Sequence, residues 1–281
     1  MKSWGEELSI SSTNVKTNDF SWQTSLIYSH NRTEITNLYN QGRVIDLVQG
    51  NGFAKQGYPA RALFSIPFVG INEKGNPVCI NEKGQATVGD LNFQERNNTD
   101  YLIYEGSTDP IYNGSLGNTF NYKGFHLNLF LTYAFGNVVR LDPVFKAKYN
   151  DLTSMTHDFK NRWMQPGDEN VTNVPGVVSR YEYEQNRTLL STAYNAYNYS
   201  TARIADGGFI RLKEVSLTYD LPKSVISKLR LTNASVKLQG TNLLLLYADK
   251  KLNGQDPEFF NSGGVATPSP KQVTLTVRFG L

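Results

Sequence analysis

The end of the chain, from Gln272 to Phe279, alternates between polar and apolar side chains without exception. The apolar positions are Val273, Leu275, Val277 and Phe279, and the polar positions between them are Thr274, Thr276 and Arg278. Successive side chains of a β-strand point to opposite faces, so this strand has one apolar and one polar face. A soluble sheet can show the same alternation. An apolar face that ends on an aromatic residue is also typical of the closing strand of a transmembrane barrel, where it meets lipid.

A longer pattern of the same kind lies between Asn118 and Gly136. We predict a hairpin there, with Lys123-Gly124 as its turn, followed by a strand from Phe125 to Phe135. The apolar face of this strand comprises Phe125, Leu127, Leu129, Leu131, Tyr133 and Phe135. A strand needs about 9–11 residues to cross a bilayer at a tilt, and aromatic residues at both ends of its apolar face are typical of the two girdles of a membrane barrel.

Alternation also predicts which side chains face lipid and which line the inside of such a barrel. The predicted lipid-facing positions are Phe125, Leu127, Leu129, Leu131, Tyr133, Val273, Leu275, Val277 and Phe279. The predicted lumen-lining positions are His126, Asn128, Lys237, Gln239, Thr274, Thr276 and Arg278. The interior of a membrane barrel is polar, so the second set suits a wet lumen.

Several other stretches predict strands and turns of an antiparallel sheet. The predicted strands are Trp4–Val15, Phe20–His30, Arg43–Val48, Leu63–Ile71, Phe209–Tyr219 and Leu231–Thr241. The pentapeptide Ile-Asn-Glu-Lys-Gly occurs twice, at Ile71–Gly75 and Ile80–Gly84, and predicts two similar turns with glycine in the left-handed conformation. The fold class that these patterns predict is all-β, an antiparallel transmembrane β-barrel with long outer loops.

One short helix is predicted, within a loop. Asp142-Pro143 combines a helix-capping side chain with a proline suited to the first turn. Apolar side chains then recur at helical spacing as far as Trp163, and Pro166-Gly167 ends the segment. The stretch from Asn170 to Ala205 is polar and weakly periodic, and Lys250 to Pro270 is rich in turn residues, so both are predicted to be loops.

Composition agrees with this fold and narrows the function. The chain has 281 residues, of which 12% are aromatic and 23 are glycine, as expected for strands joined by turns. Its mean hydropathy of −0.42 suits strands of which only alternate residues face lipid. The net charge of +3 is dispersed and gives no indication of nucleic-acid binding. Cys79 is the single cysteine, which excludes an internal disulfide framework and a cysteine-rich metal site.

Candidate catalytic chemistry is scarce in the sequence. The histidines His30, His126 and His157 lack a second ligand at metal-binding spacing, and there is no nucleophile elbow, phosphate loop or dinucleotide fingerprint. Asp256 and Glu258 flank a proline in a turn, whereas a glycosidase needs two carboxylates that face each other across a cleft. We therefore predict that the protein is not an enzyme and holds no metal and no cofactor.

Two alternatives from other functional classes stay open on the residues alone. One is a secreted β-sandwich module that binds glycans through its tyrosine- and tryptophan-rich loops, where Trp163 and Tyr194 either stack on sugars or pack within the loop. The other is a small, self-contained β-barrel that acts as a channel. Both would use alternating strands, and they differ in what covers the apolar face.

Six stretches of the chain match, in order, the motifs of one known family. Gly207–Pro222 is similar to the signature F-[IL]-R-L-K-x-[IV]-x-L-x-Y-x-[LF]-P, and Val236–Leu243 is similar to the strand hydrophobic-x-G-x-N-L. The remaining matches are Gln255–Glu258 with a D-P-E loop, Pro268–Phe279 with a P-x-P-[KR] closing strand, Phe120–Phe125, and Arg162-Trp163 with Pro166-Gly167-Asp168. In these stretches the chain resembles the C-terminal part of the SusC/RagA family of TonB-linked outer-membrane proteins.

The resemblance implies a fold, a function and partners. Residues 1–281 would be the C-terminal portion of a barrel of about 22 strands, without the plug domain, the TonB box and the signal peptide. The function implied is import of large nutrients, oligosaccharides or oligopeptides, across the bacterial outer membrane. The implied partners are TonB, which drives import, and a SusD-like surface lipoprotein that helps to capture the substrate. Membrane lipid is a further expected partner, and nucleic acid is not.

Overall fold

The computed structural model of the chain describes residues 1–50, 54–150, 152, 154–228, 230–260 and 270–280. The β-strands of this part of the chain are β1 (Lys2–Lys16), β2 (Phe20–Glu34), β3 (Ala62–Ser65), β4 (Phe68–Ile71), β5 (Pro77–Ile80), β6 (Ala86–Thr87), β7 (Ile103–Ser107), β8 (Tyr112–Tyr122), β9 (Phe125–Phe135), β10 (Val138–Arg140), β11 (Ile204–Asp206), β12 (Phe209–Asp220), β13 (Asn233–Ala248) and β14 (Gln272–Gly280). The α-helices are α1 (Val44–Gln49), α2 (Arg180–Gln185), α3 (Arg187–Asn198) and α4 (Lys223–Lys228). None of the helices in these residues is long and apolar enough to span a membrane.

The chain folds into two compact units, each assembled from separate segments. The first unit comprises Met1–Ser3, Thr33–Asp109 and Val138–Asp206. The second unit comprises Trp4–Arg32, Pro110–Asn137 and Gly207–Leu281. The long alternating strands predicted from the sequence belong to the second unit, and most of the errors of prediction fall in the first.

The second unit is built on a seven-stranded sheet in the order β1-β2-β8-β9-β12-β13-β14. From β2 to β14 every neighbouring pair is antiparallel. Lys123 and Gly124, with φ of 45° and 84°, form the predicted two-residue turn between β8 and β9. Positive φ at both positions gives a turn whose twist matches that of the flanking strands, so this hairpin is locally encoded.

A β-bulge between β12 and β13 explains one of the sequence motifs. The register shifts between Leu212 and Glu214, so that residues 242 and 243 of β13 lie opposite residue 213 of β12. Asn242 has a φ of 53°, in the left-handed region that asparagine tolerates better than most residues. The asparagine of the G-x-N-L motif therefore allows the backbone to form the bulge. Strand β13 continues past its predicted end at Thr241 as far as Ala248.

The first unit contains most of the buried apolar side chains and mixes short strands with helices. Its strands pair as β3/β7, β4/β5/β6 and β10/β11. One buried cluster is centred on Val44, Leu47, Val48, Phe64 and Ile66, and a second on Phe145, Leu190, Tyr194 and Tyr197. This unit is thus stabilised by apolar packing in the manner of a globular domain.

The predicted strand over Arg43–Val48 is wrong, because these residues enter helix α1. The backbone N–H of Arg43 donates to Asp46 Oδ2 at 3.0 Å, and its guanidinium Nε donates to the same oxygen at 2.8 Å. At the other end Gly50, with a φ of 67°, ends the helix in the left-handed conformation. Six residues are too few for the helical period to be distinguished from other apolar patterns, which explains the error.

The predicted strand Leu63–Ile71 is in fact two strands, β3 and β4, separated at Ile66-Pro67. Proline has no N–H to donate to a ladder, so a continuous strand is interrupted there. Ile66 pairs instead with the segment after α3: its N–H donates to the carbonyl of Tyr199, and its carbonyl accepts from Thr201, both at 3.0 Å.

The predicted loop helix is also wrong in its position. Among the described residues between Asp142 and Trp163, only His157–Asn161 are helical, as a 3-10 turn. Three of the apolar residues at helical spacing, Phe145, Met155 and Phe159, pack in a cluster with α3, which lies in the stretch that was predicted to be a loop. Asn198, the last residue of α3, accepts the N–H of Phe145 at 3.1 Å and donates to its carbonyl at 2.8 Å, which anchors this irregular segment.

The two Ile-Asn-Glu-Lys-Gly turns are confirmed as close copies. In each, an asparagine side chain, Asn72 or Asn81, accepts two backbone N–H groups at 2.9–3.1 Å. Gly75 and Gly84 have φ of 77° and 74°. Their surroundings differ, because a Cβ atom at Gly75 would lie 2.4 Å from Cε3 of Trp163, whereas a Cβ atom at Gly84 would have no heavy atom within 4 Å.

We expect Gly75→Ala to destabilise the protein more than Gly84→Ala. Both variants place alanine in the left-handed region, at a cost of roughly 1–2 kcal/mol. At position 75 the methyl group also overlaps the indole of Trp163, which adds about 1–3 kcal/mol of overpacking. Urea unfolding followed by tryptophan fluorescence measures the difference, and equal losses for the two variants would show that the contact with Trp163 does not restrict position 75.

Candidate functional site

The register of the seven-stranded sheet aligns its strands into continuous apolar rows. One row crosses six strands and consists of Trp22, Phe120, Leu127, Leu217, Leu238 and Leu275. The neighbouring row consists of Phe20, Tyr122, Phe125, Tyr219, Val236 and Val277. Residues directly opposite each other in a sheet share a face, so the apolar face is continuous from β2 to β14.

Midway along β2 and β8 this face carries two polar side chains, Thr24 and Asn118, and at the far end of β2 it carries His30. Asn118, opposite Leu129, accepts hydrogen bonds from Trp22 Nε1 at 2.9 Å and from Thr24 Oγ1 at 2.8 Å. A polar group on a face without water is tolerated when its hydrogen bonds are made within the protein. The interruption is therefore compatible with an apolar environment.

Aromatic side chains border the apolar face at both ends of the strands. Near the β8–β9 turn, the ring of Phe125 stacks on that of Tyr219 with centroids 4.4 Å apart. At the opposite end, the ring of Phe135 lies 6.1 Å from Tyr133 and 6.0 Å from Tyr247. The ten-residue interval from Phe125 to Phe135 is about 33 Å along the strand, or about 25 Å high at a tilt of ~40°. That height equals the apolar band of outer-membrane barrels, about 25 Å.

All nine predicted lipid-facing side chains lie on this apolar face, and none of them is in a core. Phe125, Val273, Leu275, Val277 and Phe279 are between 45% and 74% exposed, and Leu127, Leu129, Leu131 and Tyr133 are half-buried. Among the described residues of the second unit, the buried hydrophobic side chains are Ala134, Phe209 and Leu252. A β-sandwich buries the inner face of each sheet, so the exposure of this face disfavours the β-sandwich alternative.

On the opposite face of the sheet, two neighbouring rows are polar across the same strands. One row consists of Ser21, Asn121, His126, Thr218, Lys237 and Thr276, and the next of Gln23, Thr119, Asn128, Ser216, Gln239 and Thr274. Arg278 lies opposite Ser235 on the same face. The structure thus brings all seven predicted lumen-lining residues together, and their contact with a lumen stays a prediction.

Side chains of the polar face are connected across the strands. His126 Nε2 lies 2.9 Å from Asp220 Oδ2, and its Nδ1 lies 2.5 Å from Asn121 Oδ1. On the next strand pair, Lys237 Nζ lies 3.8 Å from Glu214 Oε1. Such cross-strand pairs stabilise a sheet and hold a polar surface in one arrangement.

A buried ion pair on β12 is the feature of the second unit that sequence analysis missed. Arg211 pairs with Asp256, and each residue is 3% exposed. Arg211 Nε lies 3.0 Å from Glu258 Oε2, and Lys213 Nζ lies 3.6 Å from Glu258 Oε1. The arginine of the β12 signature and the D-P-E motif are therefore two halves of one contact, which holds the loop after β13 against β12. The two sequence motifs contain the residues that pair. However, 45 residues separate Arg211 from Asp256, and no local pattern shows that they are in contact.

The first unit contains two further buried cations, Arg140 and Arg203. The guanidinium of Arg140 donates to the carbonyls of Val48, Phe64 and Ser200 at 3.0, 2.7 and 3.2 Å, and to the hydroxyl of Ser65 at 2.9 Å. Burial lowers the pKa of Arg140 to about 10, so it stays positively charged at neutral pH. These contacts tie helix α1, strand β3 and the end of α3 together, which is a structural role.

Two side chains with candidate chemistry, Cys79 and Tyr194, lie in packing positions. Burial raises the pKa of the Cys79 thiol to about 12, which suppresses the reactive thiolate. Tyr194 is 1% exposed, and its hydroxyl donates to the carbonyl of Gly176 at 2.6 Å, so it packs and does not offer a surface for sugars. The described residues contain no group of three or more side chains able to hold a metal ion.

Comparisons with known proteins agree with this fold. No protein-family profile matches the sequence. The chain is 25% identical to TonB-dependent receptor P26 of Formosa agariphila, over 96% of the chain and 28% of that protein, and 26% identical to receptor P3 of the same bacterium, over 90% and 25%. It is also similar to a chain in the structure of the RagAB peptide transporter, with a TM-score of 0.71 and 22% identity over 99% of this chain and 29% of that one.

Both relatives are named TonB-dependent receptors, and the chain shares its fold with part of the RagAB structure. The resemblance to the SusC/RagA family, predicted from the sequence motifs, is confirmed over nearly the whole chain. The antiparallel fold predicted from alternation is confirmed by its similarity to the RagAB structure. The chain spans little more than a quarter of the length of these relatives.

Proposed function

We propose that this chain is part of an outer-membrane, TonB-dependent transporter that imports large nutrients, either oligosaccharides or oligopeptides. The observation that carries the proposal is the two-faced sheet. Its apolar rows cross six strands, are half-buried to exposed, and are bordered by aromatic residues at both ends, as a surface in contact with lipid requires. Its polar face supplies the wetted wall of a passage.

The proposal assigns the chain to the C-terminal strands of a barrel of about 22 strands. Seven long strands are about a third of that number, and the chain matches 25–29% of the length of its relatives, part of which would be a plug domain. The plug domain, the TonB box and the signal peptide then belong to other parts of the receptor. A self-contained small barrel is disfavoured, because the similarity covers only part of a much larger chain in each relative.

The proposed partners are TonB, a SusD-like surface lipoprotein and membrane lipid. RagAB is described as a peptide transporter, but an identity of 22% carries the fold and not the substrate, so both substrate classes stay in the proposal. We assign no reaction centre and no cofactor to this chain, which on this view provides wall and loops.

The proposal predicts TonB-dependent uptake by cells that carry the full-length receptor containing this chain. Fluorescent oligosaccharides and oligopeptides too large for passive diffusion are supplied to these cells, to cells lacking the receptor and to cells with inactive TonB. We expect at least one class to accumulate in the first cells and in neither control, because passage is driven by TonB through this receptor. Uptake that is unchanged without the receptor would overturn the proposal.

A further inference from the structure

An Asn-Gly pair lies in the loop after β13, at Asn253-Gly254. Asn253 follows the 3-10 turn Lys250–Leu252 with a φ of 51°, and Gly254 has a φ of 85°. Both residues are exposed, and a Cβ atom at Gly254 would have no heavy atom within 4 Å. The pair is therefore open to solvent, with unoccupied space around the glycine.

An asparagine that precedes a glycine can react with its own backbone. The backbone nitrogen of the glycine loses its proton and attacks Cγ of the asparagine side chain, which forms a cyclic succinimide and releases ammonia. Water then opens the ring and leaves either aspartate or isoaspartate, in which the main chain runs through Cβ. Glycine has no side chain to obstruct the attack and reaches the required conformation easily. The net change is the exchange of ammonia for water, so no further reactant is needed.

The backbone N–H of Gly254 is available for this attack. Among the residues that the structure describes, none accepts a hydrogen bond from it. The N–H groups on either side are engaged: that of Asn253 donates to the carbonyl of Lys250 at 3.1 Å, and that of Gln255 donates to the carbonyl of Leu252 at 2.9 Å. A short exposed turn opens locally at little cost in free energy, so the nitrogen of Gly254 can reach the side chain of Asn253.

The same dipeptide occurs at Asn113-Gly114, where the structure opposes the reaction. These residues lie inside β8, which pairs with β2 on one side and with β9 on the other. A Cβ atom at Gly114 would overlap the carbonyl oxygen of Ile27, so the glycine is closely covered. A third Asn-Gly pair, at positions 51 and 52, lies outside the described residues. The chain thus offers one exposed pair and one protected pair of identical sequence.

We propose that Asn253 is a site of spontaneous deamidation, and that its isoaspartate product loosens the loop after β13 from β12. The pair lies between two buried residues, Leu252, which is 1% exposed, and Asp256, which pairs with Arg211. Isoaspartate lengthens the main chain by one methylene group between them and adds a carboxylate. The segment then has to shift, and Asp256 is drawn away from Arg211. Neither the reaction nor its effect depends on what the receptor transports.

The test of the site is peptide mapping by mass spectrometry of the purified full-length receptor in detergent, incubated at mildly alkaline pH and digested under mildly acidic conditions. We expect Asn253 to be converted to aspartate and isoaspartate at least about tenfold faster than Asn113, because attack within β8 first requires local opening of the strand. A synthetic peptide with the sequence of residues 248–258 gives the rate without folded structure. The site is overturned if Asn253 reacts no faster than Asn113, or if it stays unconverted while the peptide reacts.

Asn253→Gly is the matched control for the effect on the loop, because glycine adopts the left-handed conformation readily and has no Cγ to attack. Limited proteolysis is carried out on fresh and on incubated receptor. We expect the loop after β13 to be cleaved severalfold faster in the incubated parent receptor, and at an unchanged rate in the incubated variant. An unchanged rate in the parent after full conversion of Asn253, or an equal acceleration in the variant, would overturn the loosening of the loop.

Discussion

Asp256→Asn is expected to lower the free energy of unfolding by about 3 kcal/mol, because Arg211 loses its buried carboxylate partner and keeps only Glu258, whose side chain is 34% exposed. Arg211 and Asp256 are both 3% exposed, so water cannot take over the lost interaction. The substitution keeps the shape of the side chain, and the effect is therefore one of charge. Denaturant unfolding of the full-length receptor in detergent measures it, and limited proteolysis shows whether the loop after β13 is released first.

Asp249→Asn is the matched control in the same loop. The carboxylate of Asp249 accepts the N–H of Lys251 at 2.9 Å as a helix cap, and asparagine caps about as well as aspartate, so we expect a smaller loss of stability than for Asp256→Asn. A double variant, Arg211→Met with Asp256→Leu, removes both charges and is expected to recover much of the lost stability. Equal effects of Asp256→Asn and Asp249→Asn would contradict the role of the ion pair.

Leu129→Arg is expected to impair folding of the receptor into lipid, at a cost of about 2–4 kcal/mol, the range for arginine at the middle of the lipid-facing side of a barrel. Leu129 lies midway between the aromatic residues Phe125 and Tyr133 on the apolar face of β9. The fraction that folds into vesicles, followed by the shift in gel mobility of unheated samples and by urea titration, measures the effect.

Asn128→Arg is the matched control, since it introduces the same side chain at the adjacent position on the other face. Asn128 lies between Thr119 and Ser216 in a polar row, so we expect the variant to fold into lipid nearly as well as the parent protein. A larger loss for Asn128→Arg than for Leu129→Arg would reverse the assignment of the two faces and with it the proposed wall.

The long strands of the second unit were predictable because each alternates apolar and polar side chains along its own sequence. In β9 and β14 the apolar and polar positions alternate regardless of what pairs with them, and the structure places these strands within one residue of the predicted bounds. The Lys123-Gly124 turn was predictable for a similar local reason. Even the membership of the two faces followed from period two alone.

The first unit was predicted poorly because its elements depend on contacts between distant segments. Helix α3 is rich in tyrosine and asparagine, which are modest helix formers, and it is stabilised by packing on the segment around Phe145. The apolar residues of that segment recur at helical spacing, but the segment is irregular and packs against α3. Trp163 likewise gains its fixed orientation from Gly75 and Gly176, which no local pattern associates with it.

The sequence by itself determined that this protein has strands with one apolar and one polar side, and that its motifs resemble those of TonB-linked receptors. The tertiary structure decided that these strands lie side by side, so that the apolar positions of six strands form one continuous face. It also decided that Arg211 pairs with Asp256. Periodicity is a property of each strand, set by the pleat, whereas register and ion pairing are properties of pairs, set by packing between residues far apart in the chain.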